Sequence, residues 1–230
     1  LFHRLLANSK CEQQWDDITV ETFHDILSLL VALDPDRVQT TCTFDDGYDS
    51  DFLFAAPMLE QKSFRGFFFV VPDLVGKPGY MDWSMIKELT KRGHRIGSHS
   101  LSHIDLNTLN STEVDFQLVK SKEIIEDQTG EVVDMFSFPF GRFNSALIDK
   151  ARLVGYSRIF TSKRGLSNLG DSALKRNGLN LSMSTQQIKT VLSPTGGDRL
   201  KWVIQDAVKD SIKNMLPLPL YRAIRDKVFK

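Results

Sequence analysis

The chain is an α/β protein with a largely parallel sheet or barrel, and three features of its sequence predict this. Short apolar or β-branched runs alternate with longer stretches of helical period. The helical stretches carry their own start and stop residues. No low-complexity segment, internal repeat or Pro/Gly-rich linker divides the chain, so a single domain is expected, its main unit over residues 1–193 and a helical extension at 194–230 packed on it.

Residues 38 to 44 read as the first clear strand, followed by a helical stretch from 52 to 62, with Asp49 and Asp51 expected as its caps. Residues 67 to 71, within the run Gly66-Phe67-Phe68-Phe69-Val70-Val71, form the next strand. Asp82 caps a helix through Arg92, with Trp83, Ile86 and Leu89 at helical spacing and Gly93 as the stop. A short strand at 94 to 96 follows. Asn110 with Glu113 makes a capping box for a helix to about Gln128, whose face carries Val114, Leu118 and Ile125. Residues 132 to 138 are extended, Asn144 caps a helix ending at Gly155, and 156 to 161 is a further strand. His24 lies in a helical pattern with Phe23 and Ile26 and reads as structural; His94 opens a strand and does not read as a ligand.

Composition narrows the function. Lys+Arg and Asp+Glu both number 29, so the formal charge cancels and a nucleic-acid partner gains no support. Cys11 and Cys42 imply no disulfide framework; one bridge could form, and two free thiols are the simpler reading. No run reaches the roughly 18 apolar residues that span a bilayer, and the start Leu1-Phe2-His3-Arg4 is not a signal peptide. These observations leave the compartment open, with a cytoplasmic or membrane-peripheral one favoured. Over residues 201 to 230, seven Lys/Arg face three Asp. Trp202, Val203, Ile204, Ala207, Ile212, Met215 and Leu216 follow a helical period up to Pro217-Leu218-Pro219, with a second short helix at 220 to 229. Helices packed on the barrel are one reading; a basic amphipathic surface docking on a membrane or partner enzyme is the other.

In α/β folds chemistry collects just after the carboxyl ends of strands, and two motifs lie there. Thr43-Phe44-Asp45-Asp46-Gly47-Tyr48 ends the first strand. Adjacent carboxylates repel unless a cation or proton lies between them. One Asp can hold a metal while the other acts as a general base; an ordinary Asp-Asp-Gly turn is the plain alternative. Gly97-Ser98-His99-Ser100-Leu101-Ser102-His103 follows another strand and holds two of the five histidines, four residues apart, so that both imidazoles can face one ion. Ser100 and Ser102 can orient them. Two His and one carboxylate leave coordination positions open, which suits a catalytic ion better than a structural one.

The order TFDDGY, GSHSLSH and then FPFG (residues 138–141) resembles the polysaccharide deacetylases of carbohydrate esterase family 4, the NodB-homology fold. The likeness runs from residue 1 to about 180 and includes residues 67–71, Gly79-Tyr80-Met81-Asp82-Trp83 and His94-Arg95-Ile96-Gly97. The resemblance implies a distorted (β/α) barrel with about seven β/α units. It implies Asp45 as general base, and Asp46, His99 and His103 as ligands of one divalent ion. Zinc comes first, with cobalt, nickel or iron as alternatives. Tyr48, Pro139, Phe140 and Gly141 would line the substrate groove. The implied reaction is hydrolysis of an acetamido group on an N-acetylated sugar.

Two positions depart from the family pattern. Ser137 stands where an Arg precedes the third motif, and no histidine follows His103 to provide the late Leu-x-His acid. Leu1-Phe2-His3 has that form and resembles the first strand of permuted members involved in exopolysaccharide biosynthesis. First and last strands are neighbours in a closed barrel, so His3 is the expected general acid. Arg176 can supply the missing guanidinium and steady Asp45, although a surface arginine is the plainer reading. An O-acetyl esterase or a non-sugar amidase would use the same ion and base. A carbohydrate-binding pseudoenzyme is the alternative from another class.

Overall fold

The computed structural model describes residues 1–7, 17–34, 36, 40–168, 171, 173–180 and 183–215, with side chains to residue 207. A short parallel pair, β1 (Leu5–Leu6) and β2 (Ile18–Thr19), leads into helix α1 (Val20–Leu33). Thr19 caps α1 by accepting the Thr22 N–H, and Phe23, Ile26, Leu27 and Leu30 form its buried stripe. There follow β3 (Cys42–Phe44), a π-helical turn (Asp51–Ala55) running into α2 (Ala56–Gln61), and β4 (Gly66–Val70). Next come α3 (Trp83–Lys91), β5 (Arg95–Ser98), α4 (Ser111–Thr129) and β6 (Met135–Ser137). Then come α5 (Ser145–Leu153), β7 (Arg158–Phe160), α6 (Thr185–Leu192) and α7 (Gly196–Met215).

Strands β3 to β7 form one parallel sheet in chain order. Its strands are buried on both faces, which explains the unbroken apolar run of β4. On one face Phe44 stacks on Phe68 at 4.8 Å and on Phe2 at 5.3 Å, and Phe23 of α1 meets it edge-on at 5.8 Å. Each fully buried aromatic side chain contributes about 1.5–3 kcal/mol. On the other face Phe69, Met135 and Phe160 make a smaller cluster.

Two irregular segments curl the sheet into a ring. Leu174 bridges Phe160 in parallel, the Leu179 N–H donates to Leu1 O at 3.2 Å, and Phe2 bridges Phe44. The Phe2 N–H donates to Thr43 O at 2.8 Å while Phe2 O accepts from the Asp45 N–H at 3.0 Å. The ring therefore runs from β3 through β7, then 174–179, then 1–2, and back to β3. This is the distorted (β/α) barrel of the sequence reading.

The predicted caps Asp82, Asn110 with Glu113, and Asn144 all accept the backbone N–H bonds expected of them. Gly93 and Gly130 end their helices at φ of 83° and 73°. Several expectations need correction. Asp49 and Asp51 do not cap the helix after β3: Ser50 holds the N-cap position, no side chain caps it, and Asp51 lies inside the π-turn, fully buried. The turn fits one extra residue into the helix entry, which rotates Asp51 inward. His24 is exposed beside Asp25 and plays no part in the core. On α7 Trp202 is buried under the Arg164 guanidinium, whereas Leu200, Val203 and Ile204 face outward. No helix among the described residues is long and apolar enough to cross a membrane. Cys11, the start of the first predicted strand and the second C-terminal helix lie outside the described residues.

Candidate active site and metal centre

The site gathers at the carboxyl ends of β3, β5 and β6. Asp45 and Asp46 directly follow β3, and the chain turns there through Asp46 at φ 76° and Gly47 at φ 80°. A Cβ at Gly47 would come within 3.3 Å of Val70 Cγ1, so glycine serves both the angle and the close approach. The loop is pinned from outside, because the Met81 N–H donates to Gly47 O and the Asp49 N–H to Gly79 O. Tyr48 and Tyr80 bridge and stack there at 5.0 Å.

Asp45 is buried and fully engaged. Arg176 grips it with Nη1 2.7 Å from Oδ1 and Nη2 2.8 Å from Oδ2, the fork-to-fork geometry of a strong charge-assisted pair. Ser137 Oγ donates to Oδ2 at 3.0 Å and accepts from Arg176 at 2.7 Å. The serine that replaces the family arginine thus joins the new arginine to the carboxylate. Arg176 is 6% exposed rather than a surface residue, and it reaches Asp45 across the faces of Phe69 and Phe160. Burial disfavours the Asp45 charge, but Arg176, His99 and His3 outweigh it and hold the carboxyl at about 2.

His99 and His103 flank Asp46 Oδ1, with Nε2 atoms 3.4 and 3.1 Å away. The Ser137 carbonyl, 2.8 Å from His99 Nδ1, accepts a hydrogen bond from the Nδ1–H, which leaves Nε2 directed at Asp46. Burial opposes charge on His99, yet Asp45 and Asp46 raise its pKa above the ordinary value. Burial also opposes charge on Asp46, but bonds to His103 and His99 and the charge of His3 pull its pKa well below the usual range. His103 stands at φ 53° against the ring of Phe140 at 4.5 Å. Phe140 itself takes φ 58° within the turn Pro139–Gly141.

These residues fit a divalent ion. One ligand atom each from Asp46, His99 and His103 lies within 4.8 Å of the others. Asp46 Oδ1 is buried between the Nε2 atoms of His103 and His99, so the three donor atoms face one another as atoms that share a cation would. His3 is half-buried, and its charge acts on both Asp45 and Asp46. Its backbone neighbour Phe2 is hydrogen-bonded to Asp45. The structure thus gathers Asp45, Asp46, His99, His103 and Arg176 together, with His3 near enough for its charge to act on the two carboxylates and Phe140 against His103. Sequence reasoning missed Asp51 and Gln117. Gln117 had a signal: a polar residue on the apolar face of α4, three positions after Val114.

A profile of the polysaccharide deacetylases matches residues 33–159, which is more than half of the chain and contains both ligand motifs. The chain belongs to the polysaccharide deacetylase family. The YxkH protein of Bacillus subtilis is 27% identical over 143 residues, 61% of this chain and 51% of YxkH. The peptidoglycan-N-acetylmuramic acid deacetylase PdaA of the same organism is 28% identical over 122 residues, 52% of this chain and 45% of PdaA. This polysaccharide deacetylase chain thus spans about half the length of those curated relatives. Among solved structures, the Streptococcus pyogenes deacetylase PplD, in complex with acetate, superposes with a TM-score of 0.74 at 18% identity, over 84% of this chain and 96% of PplD. That likeness shows the fold.

Proposed function

We propose that this chain is a metal-dependent deacetylase that hydrolyses the acetamido group of an N-acetylated sugar in a glycan or saccharide precursor. The observation that carries the reading is an ionised, buried Asp45 beside a convergent Asp46, His99 and His103. Family membership and the naming of PdaA as an acetyl-sugar deacetylase support it. On this reading residues 1–193 form the catalytic unit, and 194–230 a helical extension of it.

Asp46, His99 and His103 would hold the ion. Zinc is expected from two imidazoles and one carboxylate, and cobalt, nickel or iron also suit these donors. When bound, such an ion polarises the acetyl carbonyl and makes water more acidic. Asp45 takes the proton of the attacking water as its oxygen adds to the carbonyl carbon. Arg176 and Ser137 hold the carboxylate in place for this transfer and keep it ionised beforehand. Part of the depression of its pKa comes from charge on His99, which a neutral, ligating imidazole does not carry. As the C–N bond breaks, His3 gives a proton to the leaving amine, and the products are acetate and a free amino sugar. Tyr48, Pro139, Phe140 and Gly141 form the walls that place the sugar.

The test is acetate release from N-acetylglucosamine oligosaccharides and from O-acetylated sugars, with chelator and after Zn²⁺ is restored. Metal-dependent release from the N-acetylated series is expected. His3→Ala lowers turnover steeply with bound zinc unchanged, and Asp45→Asn lowers kcat by about 10²–10⁴. Absence of acetate from the N-acetylated series with zinc bound overturns the reading; release from esters alone makes the chain an O-deacetylase.

A further inference from the structure

We propose that Gln117 is a positioning residue that holds the loop from His99 to His103 in its metal-ligating shape. The inference rests on the metal-site reading above and adds a residue from helix α4, outside the recognised motifs. The loop needs holding. Ser100 and His103 both adopt left-handed backbone, at φ 64° and 53°, which is uncommon for residues other than glycine. His103 owes the aim of its imidazole to that conformation.

Gln117 is 7% exposed and lies beneath the loop. Its Oε1 accepts two successive backbone N–H groups, from Leu101 and Ser102, each at 3.1 Å. Its Nε2 donates to Ser102 Oγ at 3.3 Å, and Ser102 Oγ donates to Asp73 Oδ2 at 2.5 Å. Ser100 Oγ closes the turn by accepting the His103 N–H at 3.2 Å. One amide therefore fixes two adjacent peptide groups between the two ligand histidines, and through Ser102 it ties the loop to the segment after β4. Among the described residues no other acceptor lies within hydrogen-bond distance of these two N–H groups. Without Gln117 they lose their shared acceptor, and the bonds from the His103 N–H to Ser100 Oγ and from the Asp73 N–H to Leu101 O are left to hold the loop against relaxation of Ser100 and His103 toward ordinary angles.

The experiment compares wild type, Gln117→Met and Gln117→Glu as full chains, at a temperature where each is folded by circular dichroism. Zinc affinity is measured by competition with a chromophoric chelator, and amide exchange is followed across residues 99–103 in the metal-free proteins. Gln117→Met, close in shape but without the acceptor, is expected to weaken zinc binding by roughly 10–100-fold and to speed exchange at Leu101 and Ser102. Gln117→Glu keeps the acceptor and is expected to recover most of the affinity, an outcome a mere packing role would not produce. Zinc affinity of Gln117→Met within twofold of wild type overturns the proposal. If wild type itself binds no zinc, the metal-site reading fails instead. The positioning role is then decided by exchange alone: faster exchange in Gln117→Met supports it and unchanged exchange overturns it.

Discussion

Arg176 and Asp45 are 131 residues apart in sequence, and their two bonds of 2.7 and 2.8 Å make the strongest pairing in the site. Because Asp45 is held at about 2, its pairing adds stability that is complete above the ordinary carboxylate value of about 3.9 and is lost as pH falls from there through about 2. Arg176→Lys keeps a positive charge but loses the planar fork. The Asp45 pKa should rise, so the acid limb of the pH–rate profile and the acid-unfolding midpoint should both move to higher pH. A fall in kcat/KM of roughly tenfold or more is expected. A profile that overlays the wild type would show that the pair does not set the base. The convergence of Asp46, His99 and His103 was legible because each motif is contiguous and ends a strand. The full role of Arg176 was not, since nothing local distinguishes Leu174-Lys175-Arg176-Asn177 from a surface stretch. Only closure of the ring turns that guanidinium inward.

The elements carry two further expectations. Gly97, in β5, lies under the ring of Phe69, and a Cβ there would stand 2.6 Å from two ring carbons. Gly97→Ala should therefore cost about 1–3 kcal/mol in denaturant unfolding. It should also weaken zinc binding, because His99 is two residues further on. Wild-type stability and affinity together would count against this packing account. The π-turn after β3 buries Asp51 with both carboxylate oxygens lacking hydrogen-bond partners. Burial, with the nearby charges of Asp46, Asp45 and Asp49, raises its pKa well above the ordinary value. A raised acid pKa contributes stability that is present below the unfolded value of about 3.9 and lost as pH rises through the folded value. Asp51→Asn removes that loss, so its melting temperature should exceed wild type by about 3 °C or more near neutral pH and match it near pH 4. Equal melting curves at both pH values would refute this. Capping residues announced most helix starts from sequence alone. The π-turn left no such mark, because Asp-Ser-Asp reads as a solvated cap until packing decides otherwise.

At the scale of the molecule, residues 1–2 are the piece that closes the ring between β3 and 174–179. Phe2 is 2% exposed and packs on both Phe23, at 5.0 Å, and Phe44. Phe2→Ala should cost about 3–5 kcal/mol. Because the Phe2 carbonyl accepts the Asp45 N–H, kcat should fall in the protein that remains folded. A loss below about 1 kcal/mol would show that the ring closes without this side chain. The alternation of strands and helices made the class of fold readable. Of the two closing segments, residues 1–3 were readable as a strand only through their likeness to permuted family members and 174–179 was not, for both pair through isolated bridges and carry no period-two pattern of their own.

Among the described residues, five other than glycine adopt left-handed backbone: Asp46, Ser63, Ser100, His103 and Phe140. All but Ser63 belong to the rim where the proposed metal ligands and the proposed groove wall meet. Each such residue costs on the order of 1–2 kcal/mol relative to ordinary angles. Laboratory selection for heat tolerance on this scaffold would therefore find its easiest gains at the rim, with glycine at Ser100 or Phe140 as natural solutions. Those gains would trade against turnover, because glycine also frees the angles that aim the proposed ligands. Robust variants that still work should instead accumulate their changes on the outer helices, far from these four positions.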